Sequence, residues 1–135
     1  MGLDQWILRG NNDDTEPYIE DGDWVNCKEI LQLRKEYWLH NRILKIGEQK
    51  LNKPYEELNC VFIPLTKEEL TNILNDSKEC VQAKSEYLIS DYFETGIFYS
   101  NYDLEWCLEG MKRFNKTIGS SLRSKNEDYY YWSWW

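Results

Sequence analysis

Residues 95–106 read TGIFYSNYDLEW, a short apolar run that stops at a turn and passes into a helical pattern. Gly96 opens a predicted strand that runs to Tyr99. Ser100 then offers a side-chain oxygen to the free N–H groups at the start of the next helix. The sequence therefore predicts a strand that feeds directly into a helix, and we expect this junction to lie at the centre of the fold.

Three aromatic side chains, Tyr99, Tyr102 and Trp106, fall close to this junction. Strand-to-helix turns expose backbone N–H groups, and connecting segments carry a large share of binding residues. We expect the three rings to contribute to a ligand site.

Composition favours a folded chain. At 135 residues it can bury a core as one domain spanning 1–135. Its 7 Trp, 10 Tyr and 4 Phe supply much apolar surface, although mean hydropathy is only −0.74. Some of these rings should remain on the surface, where they commonly mark contacts with ligands or partners.

Charge, hydropathy and cysteine usage argue against several functional classes of protein. A formal net charge of −8 disfavours general nucleic-acid binding, which needs an excess of Lys and Arg. The chain has no apolar run near the roughly 20 residues of a membrane span and no signal-peptide pattern, so we expect no membrane association and a cytoplasmic location. The cysteines form no C-x-x-C pair and there is one histidine, so we expect no metal, no cofactor and reduced thiols at Cys27, Cys60, Cys80 and Cys107.

The hydrophobic pattern predicts alternating strands and helices. Strands are expected at 3–9, 59–63, 96–99 and 129–135, with Pro64 closing the second. Helices are expected from Asp23 or Asn26 to about Leu51, from Lys67 after a capping box at Thr66, in 78–93 as a continuation or a restart, and after Asp103 to a stop at Gly119. Residues 11–23 read as an acidic loop. The expected fold is α+β, a single largely antiparallel sheet of about four strands covered by three or four helices.

Basic residues cluster late in the chain, at Lys112, Arg113 and Arg123. They could hold a phosphate or pyrophosphate. Alternatively, they reflect the ordinary preference of cations for helix C-termini.

The tail YYYWSWW, which contains Trp132, could stack on a nucleobase. Alternation along a strand buries only half of its rings, so about three should be exposed unless an oligomer covers them. Core packing is the competing interpretation.

Catalytic signals are weak. His40 stands alone in a predicted helix, and no nucleophile elbow, phosphate loop, dinucleotide fingerprint or zinc-protease motif occurs. The acidic loop contains Asp21-Gly22-Asp23 but lacks the ligand spacing of a calcium loop. An enzyme is the less favoured class.

Several short motifs occur once each along the chain, in this order: MGLD at the start, Tyr37-Trp38, Asn59-Cys60, TGIFYS with Tyr102-Asp103, and an aromatic-Ser-Trp ending. The chain resembles a family of small, mostly uncharacterised phage and prophage proteins that typically begin with MGLD. Members often carry a histidine shortly after the Tyr-Trp pair, whereas residues 41–46 here are NRILKI, which argues against a shared catalytic histidine. The resemblance implies a phage accessory protein in the bacterial cytoplasm, and such proteins often counter host defence.

Three functional hypotheses follow. The first is a non-enzymatic protein that sequesters a small anionic, nucleotide-derived ligand, with Tyr99, Tyr102, Trp106 and Trp132 stacking and the basic residues meeting phosphate, and whose site could lie between subunits of a homo-oligomer. The second is an acidic inhibitor that occludes a host defence protein. The third is a metal-dependent nucleotide hydrolase.

Overall fold

The computed structural model describes residues 2–11, 15–96, 98, 100–125 and 128–135. Its strands are β1 (Asp4–Gly10), β2 (Tyr18–Glu20), β3 (Asp23–Val25), β4 (Cys27–Arg34), β5 (Ile63–Leu65) and β6 (Tyr129–Trp134). Its helices are α1 (Tyr37–Leu51), α2 (Lys67–Ala83), α3 (Glu86–Phe93) and α4 (Asn101–Ser121), with a short 3₁₀ turn at Tyr55–Glu57. Across these ranges no helix is both long and apolar enough to cross a bilayer.

The main sheet has four strands in the order β4-β1-β6-β5, and each neighbouring pair is antiparallel. Strands β2 and β3 form a separate hairpin. The predicted α+β class, with one antiparallel sheet of four strands covered by helices, is confirmed. The last strand, β6, lies inside the sheet between β1 and β5, so the aromatic tail is a central element.

Alternation along β6 divides the sheet into two faces. Tyr129 and Tyr131 are buried in the core with residues from all four helices. Trp132 points to the opposite face, where it packs against Trp6 at 5.3 Å and Trp24 of the hairpin at 5.4 Å between ring centroids. The hairpin therefore covers part of the face that the helices leave open.

A chain of buried polar groups crosses the core. The side chain of Gln5 donates to the Tyr131 hydroxyl at 3.0 Å, and that hydroxyl lies 2.8 Å from His40 Nδ1. Burial lowers the pKa of His40 to about 4, so the imidazole is neutral at pH 7 and can accept a hydrogen bond from the Tyr131 hydroxyl. The single histidine is thus part of the interior.

The predicted helix over the residues before Leu51 is wrong in its first half. Residues Cys27–Arg34 form β4, which pairs with β1, and α1 begins only at Tyr37. Leu31 and Leu33 are buried while Gln32 is exposed, which is a period of two. A few apolar residues match both periods, and pairing with β1 decides between them.

Within the predicted acidic loop, Tyr18 to Asp23 form β2, the turn and the first residue of β3, and β3 continues to Val25; residues 12–14 lie outside the described ranges. The turn of this hairpin is Asp21-Gly22, and both residues have positive φ, 52° and 81°. Asp-Gly with this backbone is the usual two-residue hairpin turn. Each flanking strand is only three residues long, which is too short for its alternation to be recognised in the sequence, so the segment is expected as an acidic loop.

The second predicted strand is shifted. β5 is Ile63–Leu65, and Pro64, expected to close the strand, lies in its middle. Pro64 is tolerated because β5 is the sheet edge, where a missing N–H breaks no inter-strand ladder. Cys60 has a φ of 59° and donates its N–H to the Ser133 carbonyl, so the preceding residues contact β6 without forming a strand.

The predicted strand at 96–99 is also wrong where the structure describes it. Gly96 has a φ of 73°, and neither Gly96 nor Phe98 belongs to a strand, while Ile97 and Tyr99 lie outside the described residues. Gly96 and Phe98 lie between α3 and α4, outside any strand. An apolar run this short cannot distinguish a strand from a loop that buries one side chain.

The helix signals are more accurate. The capping box at Thr66 is confirmed, with Glu69 N–H donating to Thr66 Oγ1 at 3.0 Å and the Thr66 N–H to Glu69 Oε1 at 2.9 Å. The helix restarts after Lys84, as α3. Ser100 caps α4 by accepting from the Asp103 N–H at 3.2 Å, and α4 continues past Gly119 to Ser121.

Candidate functional site

A cavity of about 560 Å³ lies between the start of α1, the first turns of α4 and the loop that follows α3. Its lining residues are Lys35, Glu36, Tyr37, Trp38, Thr95, Phe98, Tyr102, Asp103, Trp106 and Cys107. The volume falls in the range of small-molecule sites, and most of the lining is apolar or aromatic, which is also typical of them.

Two local features position residues that line this cavity. Lys35, with a φ of 58°, reverses the chain between β4 and α1 and places Glu36 at the junction. On α4, residues Tyr102 and Trp106 are one turn apart and share a helix face. The residues that follow β4 and the first turns of α4 thus both line the cavity.

The rim is formed by exposed aromatic rings. Tyr102 is 68% exposed and Trp106 is 44% exposed, and their ring centroids are 6.5 Å apart with an interplanar angle of 33°. Tyr37, at the start of α1, is a further exposed ring of the lining. Side chains of this type that face water offer a surface on which a flat ring can stack.

The cavity wall contains a buried acid, Glu36, which is only 3% exposed. Its backbone N–H donates to Gln5 Oε1 at 2.8 Å, and its carbonyl accepts from Gln5 Nε2 at 3.0 Å. Trp38 Nε1 donates to carboxyl oxygen Oε2 at 2.7 Å. Oε1 accepts no hydrogen bond from any residue that the structure describes.

Burial raises the pKa of Glu36 to about 7, against the opposing effects of the Trp38 hydrogen bond and the positive charge of Arg113. The carboxyl group therefore changes charge near neutral pH. Burial also raises the pKa of the Cys107 thiol, and Glu36 and Cys80 raise it further. Cys107 stays protonated, which makes it a poor nucleophile.

The seven residues predicted to bind ligand do not converge on one place. Tyr102 and Trp106 line the cavity together. Lys112 pairs with Glu109 at 3.0 Å, and Arg113 donates to the Gln32 carbonyl at 3.1 Å. The others lie elsewhere: Arg123 follows the end of α4, Trp132 is on the far face of the sheet, and Tyr99 is outside the described residues.

Sequence reasoning missed Lys35, Glu36 and the role of the Tyr37-Trp38 pair as a helix start. The predicted long helix placed these residues at its middle. The detectable signal was the alternation that ends at Arg34, because recognising β4 would have placed Lys35 and Glu36 at a strand-to-helix junction.

No three acidic, histidine or cysteine side chains within the described ranges are grouped so that they could hold a metal ion. Comparisons of the chain with protein-family models, with curated proteins and with solved structures found no significant match.

We expect Glu36→Gln to stabilise the protein more at pH 8 than at pH 5. The pKa of Glu36 is raised from 4.5 to about 7, so its stabilising contribution is complete below pH 4.5 and is lost as the pH rises through 7. The difference from wild type should grow to at most about 3 kcal/mol at pH 8. Urea unfolding at both pH values measures it. Glu105→Gln, which removes an exposed charge from α4, is the control. A Glu36→Gln effect that does not change with pH would contradict the raised pKa of Glu36.

Two glycines of α4 should respond in opposite ways to alanine. A Cβ at Gly110 would lie 2.2 Å from the Glu36 carboxyl group, whereas one at Gly119 would meet only Leu74, at 3.9 Å. Gly110→Ala must displace the carboxyl group from Trp38 and should cost about 1–3 kcal/mol. Gly119→Ala should stabilise by up to about 1 kcal/mol. Thermal unfolding compares them, and equal effects would contradict the close packing of Glu36 on Gly110.

Proposed function

We propose that this protein binds a small nucleotide-derived ligand in the cavity between α1 and α4 and sequesters it without turning it over. The observation that carries the proposal is the position of Tyr102 and Trp106, which remain exposed beside a cavity large enough for a nucleoside. Exposing two large rings to water is unfavourable unless a partner covers them for part of the time.

The rings supply the stacking part of the interaction. A base stacked on an aromatic side chain contributes about 1–3 kcal/mol. Tyr37, which lines the same cavity from α1, offers a further aromatic surface to the ligand.

The anionic part of the ligand would be met by Lys35, a basic residue of the lining that is exposed and makes no ion pair with a described carboxylate. This assignment differs from the phosphate contacts expected from the sequence, because Lys112 and Arg113 are engaged elsewhere on α4. A Lys ammonium is a common phosphate partner.

Sequestration is favoured over turnover by the chemistry of the lining. Cys107 is a protonated, buried thiol, and His40 is held in the core by Tyr131. Glu36 could move a proton, but a general base needs an activated nucleophile or water beside it. Binding is the activity for which the lining supplies all the groups.

The resemblance to small phage and prophage proteins supports a biological setting for this activity. A phage accessory protein in the cytoplasm of the bacterial host could remove a nucleotide signal on which a defence system depends. This setting rests on the short motifs of the sequence.

A second candidate, an acidic inhibitor of a host defence protein, is favoured by the β2–β3 hairpin. Tyr18 and Ile19 are 47% and 41% exposed there, next to Glu20 and Asp21. An apolar patch surrounded by acids suits a basic partner.

For the ligand proposal, calorimetry against cyclic, ADP-ribose-type and mononucleotides should show binding by the wild type. Tyr102→Ala and Trp106→Ala should each weaken it about tenfold, because each removes a stacking ring. Tyr87→Ala, which removes an exposed ring on α3, should change nothing. Mass spectrometry should recover the ligand intact. A folded wild type that binds none of these nucleotides would reject the proposal, and a chemically altered ligand would favour a hydrolase.

For the second candidate, Glu20→Gln combined with Asp21→Asn should release a captured host protein, and salt should weaken that capture steeply. Asn tolerates the left-handed backbone at position 21, so the turn should survive. Pull-down from host cells measures the capture. Glu48→Gln combined with Glu56→Gln neutralises two exposed acids elsewhere as a control, and capture that survives the hairpin change would exclude this surface.

A further inference from the structure

The carboxyl group of Glu36 is an acceptor without a complete set of donors. Oε2 accepts from Trp38 Nε1, and Oε1 accepts from no described residue, although the side chain is 3% exposed. Oε1 is not among the fully buried polar atoms that lack a partner in the described residues, so it is open to the cavity, where water or a ligand can donate to it. Since Glu36 lines the cavity, the missing donor can come from an occupant.

The fold holds this carboxyl group in place. Gln5 fixes the backbone of Glu36 on both sides of the residue, and Gly110 of α4 leaves the space that the carboxyl group fills. The group is therefore positioned before any ligand arrives, which is the usual requirement for discrimination by hydrogen bonding.

We propose that Glu36 makes the cavity selective for a guanine-type base, one that presents adjacent N–H donors on its edge, over an adenine-type base. This inference rests on the proposed nucleotide-binding function and names the ligand class for the same site.

The selectivity follows from the donor and acceptor pattern. An ionised carboxylate can only accept hydrogen bonds. The Watson–Crick edge of guanine presents the N1–H and the 2-amino group, both donors, and bases held in pockets are commonly recognised on this edge. Adenine presents a ring-nitrogen acceptor beside its amino group, and this acceptor would face the carboxylate lone pairs. The rings of Tyr102 and Trp106 accept either base, so Glu36 makes the distinction.

The charge of Glu36 depends on the groups that face it. From α4 these are Arg113, which favours the carboxylate, and the protonated Cys107 thiol, and from α1 it is the Trp38 N–H. Lys35 and Asp103 lie on the same lining with opposite charges. Because the pKa of Glu36 is about 7, the acceptor-only carboxylate predominates at pH 8 and the carboxylic acid at pH 6. The guanine preference should therefore weaken as the pH falls.

Calorimetry with GMP, IMP and AMP on the full chain tests this inference. At pH 8 GMP should bind about tenfold to hundredfold more tightly than AMP, as expected for hydrogen bonds to a charged group. IMP, which keeps N1–H but lacks the 2-amino group, should fall between them. At pH 6 the ratio of GMP to AMP affinity should shrink.

Glu36→Gln should abolish both the base preference and its pH dependence, because the amide presents a donor as well as an acceptor at every pH. Glu105→Gln, with the same loss of charge on an exposed position of α4, should retain both. Thermal unfolding of each variant confirms that it is folded.

The outcomes separate the two proposals. If the wild type binds GMP and AMP equally, or prefers AMP, or if Glu36→Gln keeps the preference, the inference about Glu36 is overturned and nucleotide binding stands. If the folded wild type binds none of the three nucleotides, this inference falls, and failure with the cyclic and ADP-ribose-type nucleotides as well rejects the proposed function.

Discussion

The structure depends on the two hydrogen bonds that join the side chain of Gln5 to the backbone of Glu36. Gln5 lies on β1 in the middle of the sheet, and Glu36 lies where β4 turns into α1. The same Gln5 amide donates to Tyr131, which contacts His40. One buried amide thus ties together the first strand, the last strand and the first helix, since each partner would otherwise leave a polar group unsatisfied in the core.

This attachment has consequences for both stability and binding. It carries the Glu36 carboxyl group into the interior, where desolvation works against its charge. A wholly structural role would be filled better by an apolar or neutral residue of the same size, as is often the case for buried ionisable groups. A carboxyl group buried at a cost, in the wall of a cavity with exposed aromatic rings, accords with the proposed role of this cavity as a ligand site.

The sequence predicted those parts of the fold that depend on local chemistry. The Thr66 capping box, the Ser100 cap and the first and last strands were placed correctly, because caps and strong alternation have local causes. β4 was misread as helix because Ile30, Leu31 and Leu33 fit either period, and only pairing with β1 selects the strand. The predicted α+β class is nevertheless right, because β4 supplies the fourth strand of the sheet, while neither Gly96 nor Phe98 lies in the strand expected there.

The prediction of β4 as a helix also limited the prediction of the cavity lining. Tyr102 and Trp106 follow a helix cap that can be recognised locally, and both line the cavity, whereas Glu36 joins this lining only because β4 ends at Arg34 and the chain turns at Lys35. Trp132 was included in the predicted site because the tail is rich in aromatic residues. Its ring instead packs on Trp6 and Trp24, and these contacts between distant segments cannot be predicted from the local sequence. Residues that act from different elements can be grouped only when the topology is known.

In the proposed complex, Glu36 is a preorganised acceptor whose hydrogen bonds are completed by an occupant of the cavity. The most direct measurement is a pH titration of the Glu36 side-chain carboxyl carbon by ¹³C NMR, without ligand and with saturating GMP. We expect a midpoint near pH 7 in the free protein, because burial disfavours the charged carboxylate, and a clearly lower midpoint in the complex, because donors from the base favour it. A midpoint near the ordinary 4.5 in the free protein, or one that GMP leaves unchanged, would contradict this expectation.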